Sequence, residues 1–126
     1  MIYLFLVIWI LYSCFEGVRE AYYWNLYPQY KFNIHTIFFI QRLFVLLLVS
    51  SLNPVYLISG SLIFSFFHNG SYYTTRNFLN SNNYPKKWFD QSNQSTSWMT
   101  KFNGPISRII QFMIGVLVII IYNIYF

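Results

Sequence analysis

Charge is what this sequence has least of. Only 9% of its 126 residues are Asp, Glu, Lys or Arg, where a soluble domain carries about a quarter. That shortage excludes a surface facing water on all sides. With 56% hydrophobic residues and a mean hydropathy of +0.42, the composition reads as a single integral membrane domain over residues 1–126. Cys14 is the only cysteine, so neither an internal disulfide nor a multi-cysteine metal site can form. Ala21 is the only alanine, while Phe and Tyr number 14 and 12. Residues with AT-rich codons are favoured, which reports an AT-rich genome before it reports chemistry. No nucleophile–base pair, glycine-rich phosphate loop or paired-carboxylate glycosidase signature is present, so no enzyme is recognisable and no cofactor is implied.

The apolar residues fall into four runs, which predict an all-α transmembrane bundle of four helices. The spans are about 1–24, 36–52, 55–76 and 105–126. The first run, MIYLFLVIWILYS, has no basic leader region, and Tyr12 is bulky where a lipoprotein cleavage box needs a small residue. It reads as an uncleaved span. Asn53-Pro54 ends the second helix, because proline disfavours helical geometry in the residue before it. The third span is plainly apolar only to Phe67, short for a crossing of about 20 residues, and continues as helix into the polar stretch HNGSYYTTR. Pro105 is a good first residue for the fourth.

The net charge of +5 reads as topology and contact with anionic lipid rather than nucleic acid. Lys31 lies in the first loop, and Arg76, Lys86, Lys87 and Lys101 lie in or beside the third. The positive-inside rule then places both loops in the cytoplasm, or an equivalent compartment, with both termini outside. The third loop, about 77–104, mixes Trp88 and Trp98 with Lys86, Lys87 and Lys101, as expected of a segment in the headgroup region. It is also a candidate surface for a partner. The sequons at Asn69 and Asn93 fall on the inner side and read as chance matches.

Depth can be counted at 1.5 Å per helical residue from the outer ends. Glu16 lies about 22 Å deep, Glu20 about 28, Arg42 about 17, His35 about 27, His68 about 21, Gln111 about 22 and Arg108 about 27. All four spans thus bring polar groups to one inner layer comprising Glu16, Arg19, Glu20, His35, Arg42, His68, Arg108 and Gln111. Facing lipid, each charge would cost at least ~2.5 kcal/mol, so they should face one another. Glu16 and Glu20 share a helix face, as do His35 and Arg42. The expected contacts are Glu16 with Arg42, Arg108 near Glu20, and His68 bonded between spans. Tyr23, Tyr72 and Gln111 would satisfy remaining groups.

Four uses of this layer follow. It can lock helix packing and register. Arg42, His68, Arg76 and Arg108 can bind an anionic headgroup or small ligand. Glu16, Glu20, His35 and His68 can be arranged around a metal, although three arginines would repel a cation and the chain has no Glu-x-x-His pair. A proton or ion path, or a holin-like pore, is the fourth. The first leads, and makes the chain a structural or accessory component of a membrane assembly. Its partners would be the bilayer and either copies of itself or other membrane proteins.

The stretches EGVREAYYW, IHTIFFIQR, FFHNGSYYTTRNFLN and YPKKWFDQSNQSTS resemble short, uncharacterised polytopic membrane proteins of Bacteroidetes-type bacteria and their phages. The resemblance implies a class and a phage-related origin, but no activity.

Overall fold

Helices made of aromatic and β-branched residues gain little from intrinsic propensity. What holds them is the packing of one helix on another. The computed structural model describes residues 2–26, 34–79 and 105–126, without the side chains of residues 34, 35 and 105. They form four helices: α1 (Ile2–Leu26), α2 (Ile34–Val49), α3 (Pro54–Leu79) and α4 (Pro105–Tyr125). By length and composition α1 and α4 are long and apolar enough to cross a membrane, while the apolar part of α2, Thr36–Val49, is shorter. α3 runs unbroken through His68–Arg76 for 26 residues.

The second helix ends earlier than the span predicted from its apolar run. Ser51 and Leu52 adopt left-handed φ values of 53° and 62°, which turn the chain before Asn53. Asn53 then caps α3, its Oδ1 accepting from the Val55 N–H at 3.0 Å, and Pro54 takes a position whose missing N–H is not needed. The Asn53 amide also reaches the Tyr122 hydroxyl at 3.4 Å, tying this corner to α4.

The helices do not surround a common axis. α3 is central: α1 and α4 pack closely along neighbouring stripes of it, and α2 rests lightly on α1 and α3. Among the described residues, α4 packs its backbone on α3 alone. Close approach is achieved with small residues. Ser13, Gly17 and Ala21, one turn apart, are all buried on α1. A Cβ on Gly17 would fall inside the His68 carbonyl oxygen and within 2.9 Å of Ser71 Cβ and the Tyr72 nitrogen. A Cβ on Gly115 would fall 3.0 Å from the Ser59 carbonyl oxygen. Small residues at four-residue spacing let two helix backbones approach closely.

Around these contacts, Phe5, Trp9, Leu46, Ile63 and Ile119 form a core drawn from all four helices. Phe5 stacks on Tyr56 at 4.8 Å, and Phe66 on Phe112 at 4.8 Å. The Trp9 indole donates to the Gly60 carbonyl at 2.8 Å. We expect Trp9→Phe, which loses this bond and the volume of the five-membered ring, to cost more than about 1 kcal/mol, the usual worth of an interhelical hydrogen bond. Thermal unfolding in detergent measures it, and an unchanged midpoint would remove the bond from the account of α1–α3 docking.

Candidate functional site

Gly17 explains where the acidic residues go. Because α1 touches the α3 backbone at Gly17, its neighbours Glu16 and Glu20 are drawn into the groove that α1 forms with α3 and that α2 covers. Glu16 is 1% exposed and Glu20 6%. Neither carboxylate is solvated, so each needs donors from the protein.

Those donors come from three helices. Arg19, three residues along α1, donates from Nη2 to Glu16 Oε2 at 2.6 Å. Gln41 of α2 bridges the same pair, its Nε2 donating to Glu16 Oε1 at 3.5 Å and its Oε1 accepting from Arg19 at 3.3 Å. Arg42, the next residue, donates from Nη2 to Glu20 Oε2, while its Nε stands 3.7 Å from Glu16 Oε2. His68 of α3 places Nε2 2.8 Å from Glu20 Oε2 and 2.9 Å from Arg42 Nη2. Trp24 adds a donor to Glu20 Oε1 at 3.4 Å. Arg42 therefore pairs with Glu20 first and Glu16 second, one helical turn away from the expected Glu16–Arg42 pair.

Aromatic rings complete the enclosure. The Phe38 ring centroid lies 4.7 Å from the Arg19 guanidinium and 5.5 Å from that of Arg42. Phe64 lies 5.3 Å from Arg42 and stacks on His68 at 4.9 Å. Cation–π contacts of this kind strengthen as water is removed. Glu16, Glu20, Arg19 and Arg42 sum to zero charge when His68 is neutral.

The rest of the expected layer is arranged differently. Arg108, 1% exposed, lies over Tyr73 of α3 with its guanidinium 5.8 Å from the ring centroid, not beside Glu20. Arg76 lies on the same ring at 4.6 Å and donates to Asn77 Oδ1 at 3.0 Å. Gln111 donates to Ser107 on its own helix at 3.3 Å. Of the four proposed anion ligands, Arg42 and His68 are thus engaged with Glu20, while Arg76 and Arg108 flank Tyr73. α3 carries both groups because it is the helix on which α1 and α4 pack separately. The His35 side chain, Lys31, Asn93 and the loop group Lys86, Lys87, Trp88, Trp98 and Lys101 lie outside the described residues, as does most of the segment 77–104.

No protein-family model, curated protein or solved structure matches this chain. Around Glu16 and Glu20 the geometry is self-neutralising: each carboxylate meets at least one guanidinium, and Arg19 and Arg42 each meet a carboxylate and a ring. Among the described residues no group of three or more His, Cys, Asp or Glu side chains gathers as a metal site would require. Sequence reasoning passed over Gln41, Trp24, Phe38 and Phe64. Gln41 carried a usable signal, being an amide beside Arg42 inside an otherwise apolar run. The rings carried none, since aromatics are everywhere in this chain.

Proposed function

We propose that the chain is a small integral membrane protein whose four helices enter or cross the bilayer, and that it serves as a structural or accessory component of a membrane assembly. One observation carries this reading: charged groups are buried beside the apolar core, while the outer faces of the helices are apolar. Glu16, Glu20, His68 and Arg108 are buried, while Leu4, Leu11, Phe44 and Ile124 are 59–69% exposed. In water that distribution would leave an apolar surface far beyond what a monomer sustains. In lipid it is the arrangement that satisfies both sets of side chains. Lys31, Arg76, Lys86, Lys87 and Lys101 support an orientation with the first and third connections on the cytoplasmic side.

The network supports a fixed arrangement over a pore or a ligand site. Its charges are matched internally, so opening the helices into a lesion would strand Glu16 and Glu20. Anionic headgroup binding would have to compete with Glu20 for Arg42 and His68. In liposomes, the full chain should resist alkaline extraction and should release no trapped dye at modest protein density. Extraction by alkali would sink the membrane reading, and dye release would sink the fixed bundle. In mild detergent the chain should copurify within a larger particle. A monodisperse 15.2 kDa species would defeat the assembly role.

A further inference from the structure

Three atoms in the buried site form a triangle that cannot be satisfied on all edges. Arg42 Nη2, Glu20 Oε2 and His68 Nε2 lie mutually in hydrogen-bond contact, with His68 Nε2 2.9 Å from the guanidinium and 2.8 Å from the carboxylate. A single ring nitrogen is either a donor or an acceptor. As an acceptor, Nε2 takes one N–H from Arg42, whose other Nη2 proton goes to Glu20. The His68–Glu20 edge then sets two acceptors against each other. As a donor, Nε2 bonds Glu20, and the Arg42–His68 edge sets two donors, and in the imidazolium two cations, against each other. His68 Nδ1 lies 3.4 Å from Asn69 Oδ1, an acceptor for the second proton that an imidazolium carries.

The groups facing His68 come from each element around it. α1 supplies Glu20, with Glu16 one turn away and Arg19 the preceding residue; α2 supplies Arg42; α3 supplies Tyr72, whose ring is parallel to the imidazole at 6.4 Å. On α4, Arg108 is turned to Tyr73. Protonating His68 changes the sum over Glu16, Glu20, Arg19, Arg42 and His68 from zero to +1. Of the cations, Arg42 is on the helix held most lightly, and its side chain is 18% exposed. A long arginine stem can carry its head toward the headgroups.

We propose that His68 is a proton-binding switch: its imidazolium takes Glu20 from Arg42 and releases α2 from the α1–α3 pair. In the proton-free state Arg42 links Glu20 and His68, and α2 is docked. In the protonated state Glu20 is held by His68 and Trp24, Glu16 keeps Arg19, and α2 loses its Arg42–Glu20 tether, leaving the longer Gln41 bonds to Glu16 and Arg19 as its described polar links to α1. α1 and α3 stay together through Gly17 and the Trp9–Gly60 bond, neither of which titrates. The ligand is a proton, and the response is helix movement within the membrane. The inference goes beyond the structural role proposed above and rests on it only for the membrane as medium.

The test uses the full chain in liposomes, spin-labelled at Cys14 of α1 and at a cysteine introduced by Phe44→Cys on the outer face of α2. Flotation with the liposomes checks membrane insertion separately, so failure to insert is distinct from failure of the switch. At pH 8 the interlabel distances should form one population. At pH 5 a longer-distance population should appear, and it should revert on return to pH 8, the interval over which imidazoles change charge. His68→Gln, whose amide oxygen accepts from Arg42 but takes no proton, should keep the pH 8 distribution at both pH values. An unchanged distribution in the otherwise native chain, or the same shift in His68→Gln, would overturn the proposal. Should His68→Gln fail to fold, His35→Gln leaves His68 as the sole imidazole. Its NMR titration midpoint must then coincide with that of the distance change, and separate midpoints would equally overturn it.

Discussion

Arg42→Leu should lower the unfolding free energy by about 3–5 kcal/mol, the cost of breaking a buried ion pair from one side. Leucine keeps the apolar stem near Phe38 and Phe64 and removes the guanidinium, so most of the loss reflects charge. Glu20 would keep His68 and Trp24 as partners, but the groove would then carry two carboxylates against the one guanidinium of Arg19. The effect should concentrate in α2, because Arg42 and Gln41 are its described polar links to α1.

Double-mutant cycles identify the partner. Arg42→Leu combined with Glu20→Leu should recover much of the loss, with a coupling energy of about 2–3 kcal/mol, at the upper end for residues in direct contact. The same cycle with Glu16→Leu should give a smaller coupling, since Arg42 reaches Glu16 only through Nε at 3.7 Å and Arg19 already serves that carboxylate. Thermal or denaturant unfolding in detergent measures both. Additive effects of Arg42→Leu and Glu20→Leu would remove the pair, and a larger coupling to Glu16 would reverse the assignment.

How much of this site was legible in the sequence depends on which coordinate is asked for. Depth along a helix is a one-dimensional quantity with a fixed rise, so counting from span ends brings Glu16, Glu20, Arg42 and His68 to one level, and these four do meet. Direction around a helix is not fixed by counting. Arg108 sits at a comparable count, yet it faces Tyr73 because α4 packs on a separate stripe of α3. The choice of Glu20 over Glu16 for Arg42 is a shift of one turn. Counting from Asn53 hides that shift, because the helix stops at Val49 and the left-handed residues Ser51 and Leu52 re-aim the chain. The α3-centred layout is equally invisible to hydropathy, which marks apolar runs without saying which of them touch. One signal was available: Ser13, Gly17 and Ala21 recur every four residues in a chain that has a single alanine and five glycines.

That signal underlies the second large effect. Gly17→Ala should cost about 3 kcal/mol or more, at or beyond the upper end for overpacking, although alanine is the better helix former by roughly 1 kcal/mol. The added methyl collides with the His68 carbonyl oxygen and the Tyr72 nitrogen. These are backbone atoms of a helix, so no rotamer change relieves the contact, and α1 must move away from α3. Gly60 provides the contrast. Its added Cβ would meet the tip of the Leu46 side chain at 2.6 Å, which can swing aside, so Gly60→Ala should cost clearly less. Separation at Gly17 also reaches the site, because it lifts Glu16 and Glu20 away from His68 and Arg42. Gly17→Ala should therefore weaken the Arg42–Glu20 coupling measured by the cycle above, with no charged group altered. A Gly17→Ala protein as stable as the parent, or one that is less stable with the coupling intact, would show that the α1–α3 contact and the ion pair are independent.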